Sequence, residues 1–262
     1  MISSVSNAKV KRVAALGKKA SYRRETGLFV VEGPKMAAEL GRDEVESVYM
    51  TESFLKSREE AGERFRSLGC AETVTDEVMK AMADTKTPQG ILAVARQRQY
   101  EMKDILKSRG KLHLIILETL QDPGNLGTIM RTAEAAGVSG ILMDRGSADV
   151  YSPKVIRSTM GAIFRMPFVY VQDLEDALKE IKQAKVRLYA AHLEGARDYD
   201  KEDYTGHTGF LIGNEAKGLS PGITSMADVR VKIPMAGKTE SLNAAVAASV
   251  FMFEAARQRR NL

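Results

Sequence analysis

The chain has 262 residues, of which 44% are hydrophobic, a composition that suits one large globular domain or two modest ones. Its longest apolar run, Ala244 to Ala256, contains Glu254 and is shorter than the roughly 20 residues that span a bilayer, so no membrane segment is expected. Cys70 is the single cysteine, which excludes an intrachain disulfide and favours a reducing compartment such as the cytoplasm. The three histidines are scattered, and no metal site is expected.

The formal net charge of +5 is concentrated at the N-terminus, where residues 1–24 contain basic side chains and no acidic one. Such an arm favours a polyanionic partner such as RNA, although a solvated helix surface or a transit peptide has a similar composition. A transit peptide is disfavoured because Phe29–Gly33 follows at once and resembles part of a fold. The candidate RNA-binding residues are Lys9, Lys11, Arg12, Lys18, Lys19, Arg23 and Arg24.

Residues 1–98 are predicted to form a small α/β unit that begins with a partial helical stripe in the basic arm. Gly33-Pro34 ends the first strand, and proline suits the first turn of the helix that follows. A polar helix or linker over 99–110 connects this unit to the next. The predicted strands are Leu28–Val31, Val45–Met50 and Gly90–Ala95, and the predicted helices are Lys35–Leu40, Leu55–Leu68 and one that Asp76 caps and that runs through Met82.

Residues 111–262 are predicted to form a second unit, which opens with the apolar strand Leu112–Leu117, of the kind buried on both faces of a sheet. Asn125 is predicted to cap the next helix and Gly137 to end it. Strands that alternate with helices indicate a mostly parallel α/β sheet. Further strands are predicted at Gly140–Met143, Pro167–Val171, Val186–Ala191, Gly209–Ile212 and Val229–Ile233, and helices at Pro153–Met160, Leu174–Lys182 and Leu242–Arg260.

Two segments resemble nucleotide-binding motifs without satisfying them. Gly124–Gly127 opens a helix after a strand but lacks the Gly-x-Gly-x-x-Gly spacing of dinucleotide-binding proteins. Gly237-Lys238-Thr239 ends like a P-loop, but Lys232 stands where the leading glycine is needed. A nucleotide-dependent oxidoreductase is therefore a weak alternative for this chain.

Polar side chains collect at three predicted strand–helix junctions of the second unit: Asn125–Arg131, Gly213–Gly218 and Ile233–Asn243. Ligands bind beyond the carboxyl ends of the strands in open α/β sheets, so the three segments together indicate one site. Taken singly, each side chain has a local explanation as a helix cap or a solvated residue. The conjunction of the three segments favours a functional site.

The patterns Asn-x-Gly-x-x-x-Arg, Gly-x-Glu-x-x-Gly and Ile-Pro-x-x-x-x-x-x-Ser-Leu-Asn occur here in this order. They resemble the three motifs of the SpoU (TrmH) RNA 2′-O-ribose methyltransferases of the SPOUT superfamily. The basic arm with Phe29–Gly33 is similar to the substrate-binding domain of many rRNA-directed members, which resembles a ribosomal protein that holds bent RNA. The resemblance implies an α/β fold whose SPOUT-type parallel sheet has a C-terminal trefoil knot, preceded by a small α/β ribosomal-protein-like domain.

The resemblance also implies S-adenosylmethionine as methyl donor and a homodimer in which Arg131 of one subunit lies near the other's cofactor. Arg131 is implied to activate the ribose 2′-hydroxyl, and the apolar last helix fits the dimer interface. The residues implied to orient substrate, cofactor or Arg131 are Asn125, Glu215, Ser241 and Asn243. The residues whose backbone is implied to bind the cofactor are Gly213, Ile233 and Leu242.

Arg131 is an awkward general base, because a guanidinium normally keeps its proton. A charged Arg131 would instead bind an RNA phosphate and stabilise the developing alkoxide. The N-terminal unit favours large-subunit ribosomal RNA as the substrate. Methylation of transfer RNA, and a non-catalytic RNA-binding factor for ribosome assembly, are the alternatives.

Overall fold

The protein divides into two compact units. The structure, a computed structural model, describes residues 1–194 and 197–260. The first unit comprises Met1–Arg98 together with Asp149–Phe164, and the second comprises Gln99–Ala148 together with the described residues of Arg165–Leu262. The packing thus assigns Asp149–Phe164, which lies inside the predicted domain 111–262, to the first unit.

The first unit is built on a four-stranded sheet in the order β1–β4–β2–β3. Strand β4 pairs antiparallel with β1 and β2, whereas β2 and β3 run parallel. Its strands are β1 (Leu28–Glu32), β2 (Val45–Thr51), β3 (Ala71–Val74) and β4 (Ile91–Arg96). Its helices are α1 (Ala8–Lys18), α2 (Ala20–Thr26), α3 (Pro34–Ala37), α4 (Glu52–Ser57), α5 (Glu59–Arg66), α6 (Asp76–Met82) and, in the second segment, α9 (Pro153–Thr159).

Several features of the first unit differ from the sequence prediction. Helix α3 ends at Ala37 rather than at the predicted Leu40, and Thr75, not Asp76, caps α6, since its hydroxyl accepts from the Val78 N–H. The predicted helix over Leu55–Leu68 is interrupted, because Arg58 leaves the helical conformation with φ −143° and ψ 59° and separates α4 from α5. Strand β3 escaped prediction, since only its last residue, Val74, is fully buried and its short sequence has no apolar alternation. The three predicted strands are confirmed as β1, β2 and β4.

The segment Asp149–Phe164 is held in the first unit by a buried ion pair. Arg23 is 4% exposed, and its Nε and Nη2 atoms donate to Asp149 Oδ2 at 2.9 and 2.7 Å. Its Nη1 donates to the carbonyl oxygen of Leu16 at 2.6 Å, so the guanidinium also joins α1 to α2. Breaking such a buried pair from one side leaves an uncompensated charge, which is strongly destabilising.

The second unit is built on a seven-stranded sheet in the order β7–β6–β5–β10–β8–β11–β9, and every pairing between its neighbours is parallel. The predicted parallel α/β sheet is confirmed. Its strands are β5 (His113–Leu117), β6 (Gly140–Met143), β7 (Phe168–Tyr170), β8 (Arg187–Ala191), β9 (Arg197–Asp198), β10 (Thr208–Ile212) and β11 (Val229–Lys232). Its helices are α7 (Met102–Leu106), α8 (Pro123–Ala135), α10 (Leu174–Gln183), α11 (Pro221–Met226) and α12 (Ala244–Arg260).

The centre of this sheet is apolar on both faces, as the sequence of β5 predicts. Every residue of β5 and β10 is buried, and one core cluster joins Ile116 and Leu211 of the sheet to Leu178 of α10. Burial of this kind stabilises by roughly 1.5–3 kcal/mol for each large aliphatic side chain. The polar loops beyond the strand ends are therefore supported by a rigid layer.

Helix α12 is covered on one side only within its own unit. Ala248 and Phe251 are buried, and the Phe251 ring stacks on Phe210 of β10 with 5.4 Å between centroids. Val246 and Phe253 are each 48% exposed and form an apolar strip on the other side.

Among the described residues, no helix is both long and apolar enough to cross a bilayer.

His113 is buried in β5, where no partner among the described residues bonds its Nε2 atom. Burial, assisted by the positive charge of Arg259, lowers the pKa of His113 from 6.5 to about 3. The Arg259 guanidinium itself donates to backbone carbonyls, among them Leu112 O at 2.9 Å and Gly206 O at 2.7 Å. His113 therefore stays neutral in the folded protein at ordinary pH.

Replacing His113 by phenylalanine is expected to reduce acid sensitivity. The unfolded state binds a proton below pH 6.5 while the folded state does not, so His113 costs stability as the pH falls from 6.5 toward 3. Between pH 7 and 4.5 the wild type should lose about 2–3 kcal/mol more unfolding free energy than His113→Phe. Urea unfolding across this range measures the difference, and parallel curves for both proteins would contradict it.

Candidate active site

Helix α8 begins earlier than the sequence prediction, and this changes the role of Asn125. Asp122 is the N-cap, its Oδ1 accepts from the Asn125 backbone N–H at 2.8 Å, and Pro123 occupies the first turn. The prediction that Asn125 caps α8 is wrong, because Asp-Pro is the stronger start signal and proline needs no N–H partner. The amide side chain of Asn125 is thereby free to make other contacts.

Asn125 connects the other two predicted segments. Its Nδ2 donates to Glu215 Oε1 at 3.0 Å, and its Oδ1 accepts from Asn243 Nδ2 at 2.9 Å. Side chains that are far apart in the sequence thus form one chain of hydrogen bonds, named here the Glu215–Asn125–Asn243 chain. The three predicted strand–helix junctions therefore lie together in the second unit.

Glu215 accepts further hydrogen bonds from the turn that follows β5. The backbone N–H of Asp122 lies 2.9 Å from its Oε1, and that of Gln121 lies 3.2 Å from its Oε2. Burial raises the pKa of Glu215, but the hydrogen bonds from Asn125 and these backbone groups outweigh it and lower the pKa overall. Glu215 is thus an ionised acceptor that fixes the start of α8.

Asn243 has two roles at once. Its Oδ1 accepts from the backbone N–H of Ala245 at 2.9 Å and of Val246 at 3.3 Å, which caps α12. Its Nδ2 remains available for Asn125. The helix therefore begins at Ala244 rather than at the predicted Leu242, which leaves Ser241 and Leu242 before the helix.

The segment Gly213–Gly218 doubles back on itself. The backbone N–H of Asn214 donates to Gly218 O at 3.0 Å, and the Gly218 N–H donates to Asn214 O at 2.8 Å. A Cβ atom on Gly213 would lie 2.2 Å from the carbonyl carbon of Gly218, so no other residue fits there without moving the backbone. This close approach holds Glu215 at the tip of the turn.

A cleft of about 1230 Å³ opens beside this turn at the carboxyl ends of β8, β10 and β11. Its walls combine apolar side chains such as Ile212 and Phe251 with charged ones of both signs, among them Asp198, Glu240 and Lys232. This mixture suits a ligand that has both an aromatic ring and charged groups. The predicted residues that line it are Gly213, Glu215, Ile233, Ser241, Leu242 and Asn243.

Arg131 lies outside this group. It is exposed on α8, and in the described part of the chain it makes no hydrogen bond or ion pair and does not line the cleft. Its neighbour Thr132 contacts α12, where the hydroxyl of Ser249 lies 3.4 Å away. One subunit by itself therefore does not bring Arg131 to the cleft.

The basic arm is less available than its charge suggests. Arg23 is a correction to the predicted RNA-binding set, because it is buried in the ion pair with Asp149. Lys9 Nζ pairs with Glu72 at 2.5 Å and Arg12 Nη1 pairs with Glu46 at 2.8 Å, so both are partly neutralised. The remaining predicted cations are exposed on α1, α2 and the junction between them: Lys11, Lys18, Lys19 and Arg24.

Asp122 and Asn214 support the site but are absent from the predicted set. The Asp-Pro dipeptide before an apolar stripe is a helix-start signal that would have identified Asp122. Asn214 Nδ2 donates to Thr119 O at 2.9 Å, a long-range contact for which the sequence has no local signal. The role of Asn214 depends on this contact with Thr119, which exists only in the folded chain.

Comparisons with known proteins agree with this geometry. The family model for the SpoU rRNA methylase family matches residues 112–253, which covers all three segments. The chain belongs to the SpoU rRNA methylase family. A model of the MRM3-like substrate binding domain matches residues 7–93.

Relatives of similar length support the same assignment. The 23S rRNA (guanosine(2553)-2′-O)-methyltransferase RlmP of Bacillus subtilis is 29% identical over 96% of this chain and 97% of its own length. The solved structure of an AdoMet-bound rRNA methyltransferase from Sinorhizobium meliloti has a TM-score of 0.87 at 32% identity, covering 100% of this chain and 97% of that one. The SpoU methyltransferase AviRb from Streptomyces viridochromogenes, in complex with AdoMet, has a TM-score of 0.86 at 28% identity, covering 97% and 98%.

The predictions of an S-adenosylmethionine-dependent RNA 2′-O-ribose methyltransferase and of its cofactor are confirmed at the level of the family. S-adenosylmethionine is the expected cofactor, and its apolar ring and charged groups are compatible with the apolar and charged walls of the cleft. The target RNA and the roles of individual residues stay predictions.

Changing Glu215 to glutamine is expected to disrupt the site without unfolding the unit. The amide nitrogen cannot accept a hydrogen bond, so one of the N–H groups from Gln121, Asp122 or Asn125 is left unpaired. We expect turnover to fall about tenfold or more, equivalent to roughly 1–3 kcal/mol. Transfer of a labelled methyl group to RNA measures this effect, with Glu180→Gln on the exposed face of α10 as a matched control. Equal activity of both variants would contradict the role given to Glu215.

Proposed function

We propose that the second unit transfers the methyl group of S-adenosylmethionine to a ribose 2′-hydroxyl in RNA, and that this RNA is large-subunit ribosomal RNA. The observation that carries this proposal is the Glu215–Asn125–Asn243 chain at the edge of the cleft. The name of the Bacillus subtilis relative supports 23S rRNA as the substrate class. Transfer RNA remains the alternative substrate, because relatives named as tRNA/rRNA methyltransferases also match.

The reaction needs little covalent chemistry from the protein. The sulfonium of S-adenosylmethionine supplies an already activated methyl group. The protein must hold the ribose hydroxyl in line with this group and exclude water, and such alignment supplies about 7–11 kcal/mol of a reaction barrier. The backbone of Gly213, Ile233 and Leu242 would hold the cofactor, since all three line the cleft.

The ionised Glu215 and the two asparagines would set the position of the incoming ribose. Because Glu215 is saturated with N–H donors, it acts as an anchor for Asn125 rather than as a free base. Ser241 lines the cleft beside Asn243 and would contact the substrate or cofactor. The acidic side chains in the cleft would complement the positive charge of the donor.

Arg131 would complete the site from a second subunit. Its α8 packs on α12, whose apolar strip of Val246 and Phe253 is exposed. We propose a homodimer formed through this strip, in which Arg131 of one protomer reaches the cleft of its partner. A charged Arg131 would bind the RNA phosphate and stabilise the alkoxide as the hydroxyl proton leaves.

Further parts of the proposal follow from the family. Residues 1–98 would form the RNA substrate-binding domain, 99–110 a linker and 111–262 the methyltransferase domain, a division that the substrate-binding match over 7–93 supports. The turn at 213–218 and the segment 233–243 would belong to a C-terminal trefoil knot. A cytoplasmic location stays a prediction.

Replacing Arg131 by alanine is expected to abolish methyl transfer while leaving cofactor affinity largely intact, because its charge acts on the RNA and the developing alkoxide. A loss of about 100-fold or more is typical for a group that stabilises such charge. Labelled transfer to unmodified ribosomal RNA and calorimetry with S-adenosylmethionine separate the two effects. Turnover at the wild-type rate would exclude Arg131 from the mechanism.

Mixing Arg131→Ala with Glu215→Gln protein tests the shared site. A mixed dimer combines an intact cleft from the first variant with an intact Arg131 from the second, so activity should return on mixing after subunit exchange. If exchange is demonstrated and the mixture stays inactive, Arg131 does not act across the dimer.

RNA binding is expected to depend on Lys18 and Lys19 at the junction of α1 and α2. Both are exposed, whereas Val13 and Leu16 of α1 are buried, so point substitutions are safer than deletion of the arm. The double change to alanine should weaken RNA binding and reduce the slope of log affinity against log salt by about 1–2. Filter binding at several salt concentrations measures this slope. The exposed lysines Lys56 and Lys107, changed together, serve as the control, and equal slopes for both double variants would contradict the arm's role.

A further inference from the structure

Thr119 has an unusual backbone in the turn between β5 and α8. Its φ is 51°, in the left-handed region that a β-branched residue occupies only rarely. Such a conformation persists where surrounding contacts over-determine it, and it concentrates at functional sites. The contacts of Thr119 therefore need a physical explanation.

Asp144, which follows β6, holds Thr119 with both carboxylate oxygens. The Thr119 backbone N–H donates to Oδ1 at 2.9 Å, and its hydroxyl donates to Oδ2 at 2.7 Å. Ser147 tightens the same turn, because its hydroxyl donates to Asp144 Oδ1 at 2.7 Å and accepts from the Leu120 N–H at 3.1 Å. These contacts fix both the backbone and the side chain of Thr119.

The carbonyl of Thr119 carries the connection to the site. It accepts from Asn214 Nδ2 at 2.9 Å, while Asn214 Oδ1 accepts from the N–H groups of Ala216 at 3.0 Å and Lys217 at 3.1 Å. The backbone on either side of Glu215 is thus fixed relative to Thr119. Loops that follow three neighbouring strands, β6, β5 and β10, meet at this one residue.

The opposite side of the Glu215 contact also starts at Thr119. Gln121 and Asp122, two and three residues further along the chain, are those whose N–H groups donate to Glu215. The carboxylate and its donors are therefore both placed by Thr119, from two directions. Neither Thr119 nor Asp144 lines the cleft.

We propose that Thr119 and Asp144 are positioning residues for methyl transfer. Together they set the distance between Glu215 and the start of α8, and hence the orientation of Asn125. This inference rests on the proposed function, since it assigns the network a role in that reaction. Neither residue lines the cleft that would hold the cofactor, so both would act through Glu215 and Asn125.

Two substitutions of Thr119 separate this role from simple support of the fold. Thr119→Val keeps the shape and the β-branch but removes the hydroxyl that binds Asp144, whereas Thr119→Ser keeps the hydroxyl. We expect Thr119→Val to lower kcat about tenfold, with the dissociation constant for S-adenosylmethionine changed by less than about threefold. Thr119→Ser should stay within about twofold of wild-type kcat. Asp144→Ala should lower kcat at least as much as Thr119→Val, because it removes the acceptors of both the hydroxyl and the backbone N–H of Thr119.

The measurements are methyl transfer to unmodified ribosomal RNA at saturating donor, calorimetry with S-adenosylmethionine, thermal melting, and amide hydrogen exchange over residues 118–126. Faster exchange at Gln121 and Asp122 is expected in Thr119→Val and not in Thr119→Ser. Wild-type kcat in Thr119→Val would overturn the inference. Equal losses of kcat, donor affinity and melting temperature in both Thr119 variants would also overturn it, because they would indicate a purely structural role.

The exchange measurement keeps this inference separable from the proposed function. If the wild-type protein methylates no RNA, the proposed function fails, while the exchange rates still report whether Thr119 fixes the turn. If the wild type is active and Thr119→Val exchanges like wild type at these amides, the positioning role fails alone.

Discussion

Three N–H donors from the turn after β5 and the start of α8 converge on the carboxylate of Glu215, and the site depends on this one interaction. Glu215 is exposed, and the hydrogen bonds outweigh its partial loss of water, so that its pKa lies below the ordinary value. Here the compensation also joins β10 to α8, because the donors and the acceptor belong to different strand ends. Asn125 extends the connection to Asn243 and so to α12. One charge thus organises three segments of the chain.

The parallel sheet makes this convergence possible. Strand β10 lies between β5 and β8, with β11 next to β8, so the loops that follow these strands emerge at the same edge. Apolar residues on both faces of β5 and β10 keep the strands rigid, while the loops contain the glycines and polar side chains. The same arrangement explains why relatives with modest identity keep a closely similar structure.

Much of this organisation could be predicted from the sequence. Periodicity identified most strands, and two of the three polar segments, 213–218 and 233–243, contain residues that line the cleft, since both signals are local in the chain. The cap of α8 was assigned to Asn125 instead of Asp122, because the signal of Asp122 depends on Pro123 in the first turn. The burial of Arg23 was missed because its partner, Asp149, lies in a distant segment that charge counts do not connect to it. Long-range pairing has no local pattern to detect.

The ion pair between Arg23 and Asp149 limits which segments of this chain can be exchanged with those of a relative. A stretch inside the family's methyltransferase region, 112–253, completes the interior of the unit that contains the N-terminus. Residues 1–98 and 112–253 are therefore not independent of each other. A chimera that replaced only residues 1–98 would separate Arg23 from Asp149. One product would then contain a buried guanidinium without its partner, and the other would expose apolar residues such as Val155. An exchange between relatives would therefore need to move residues 149–164 together with residues 1–98.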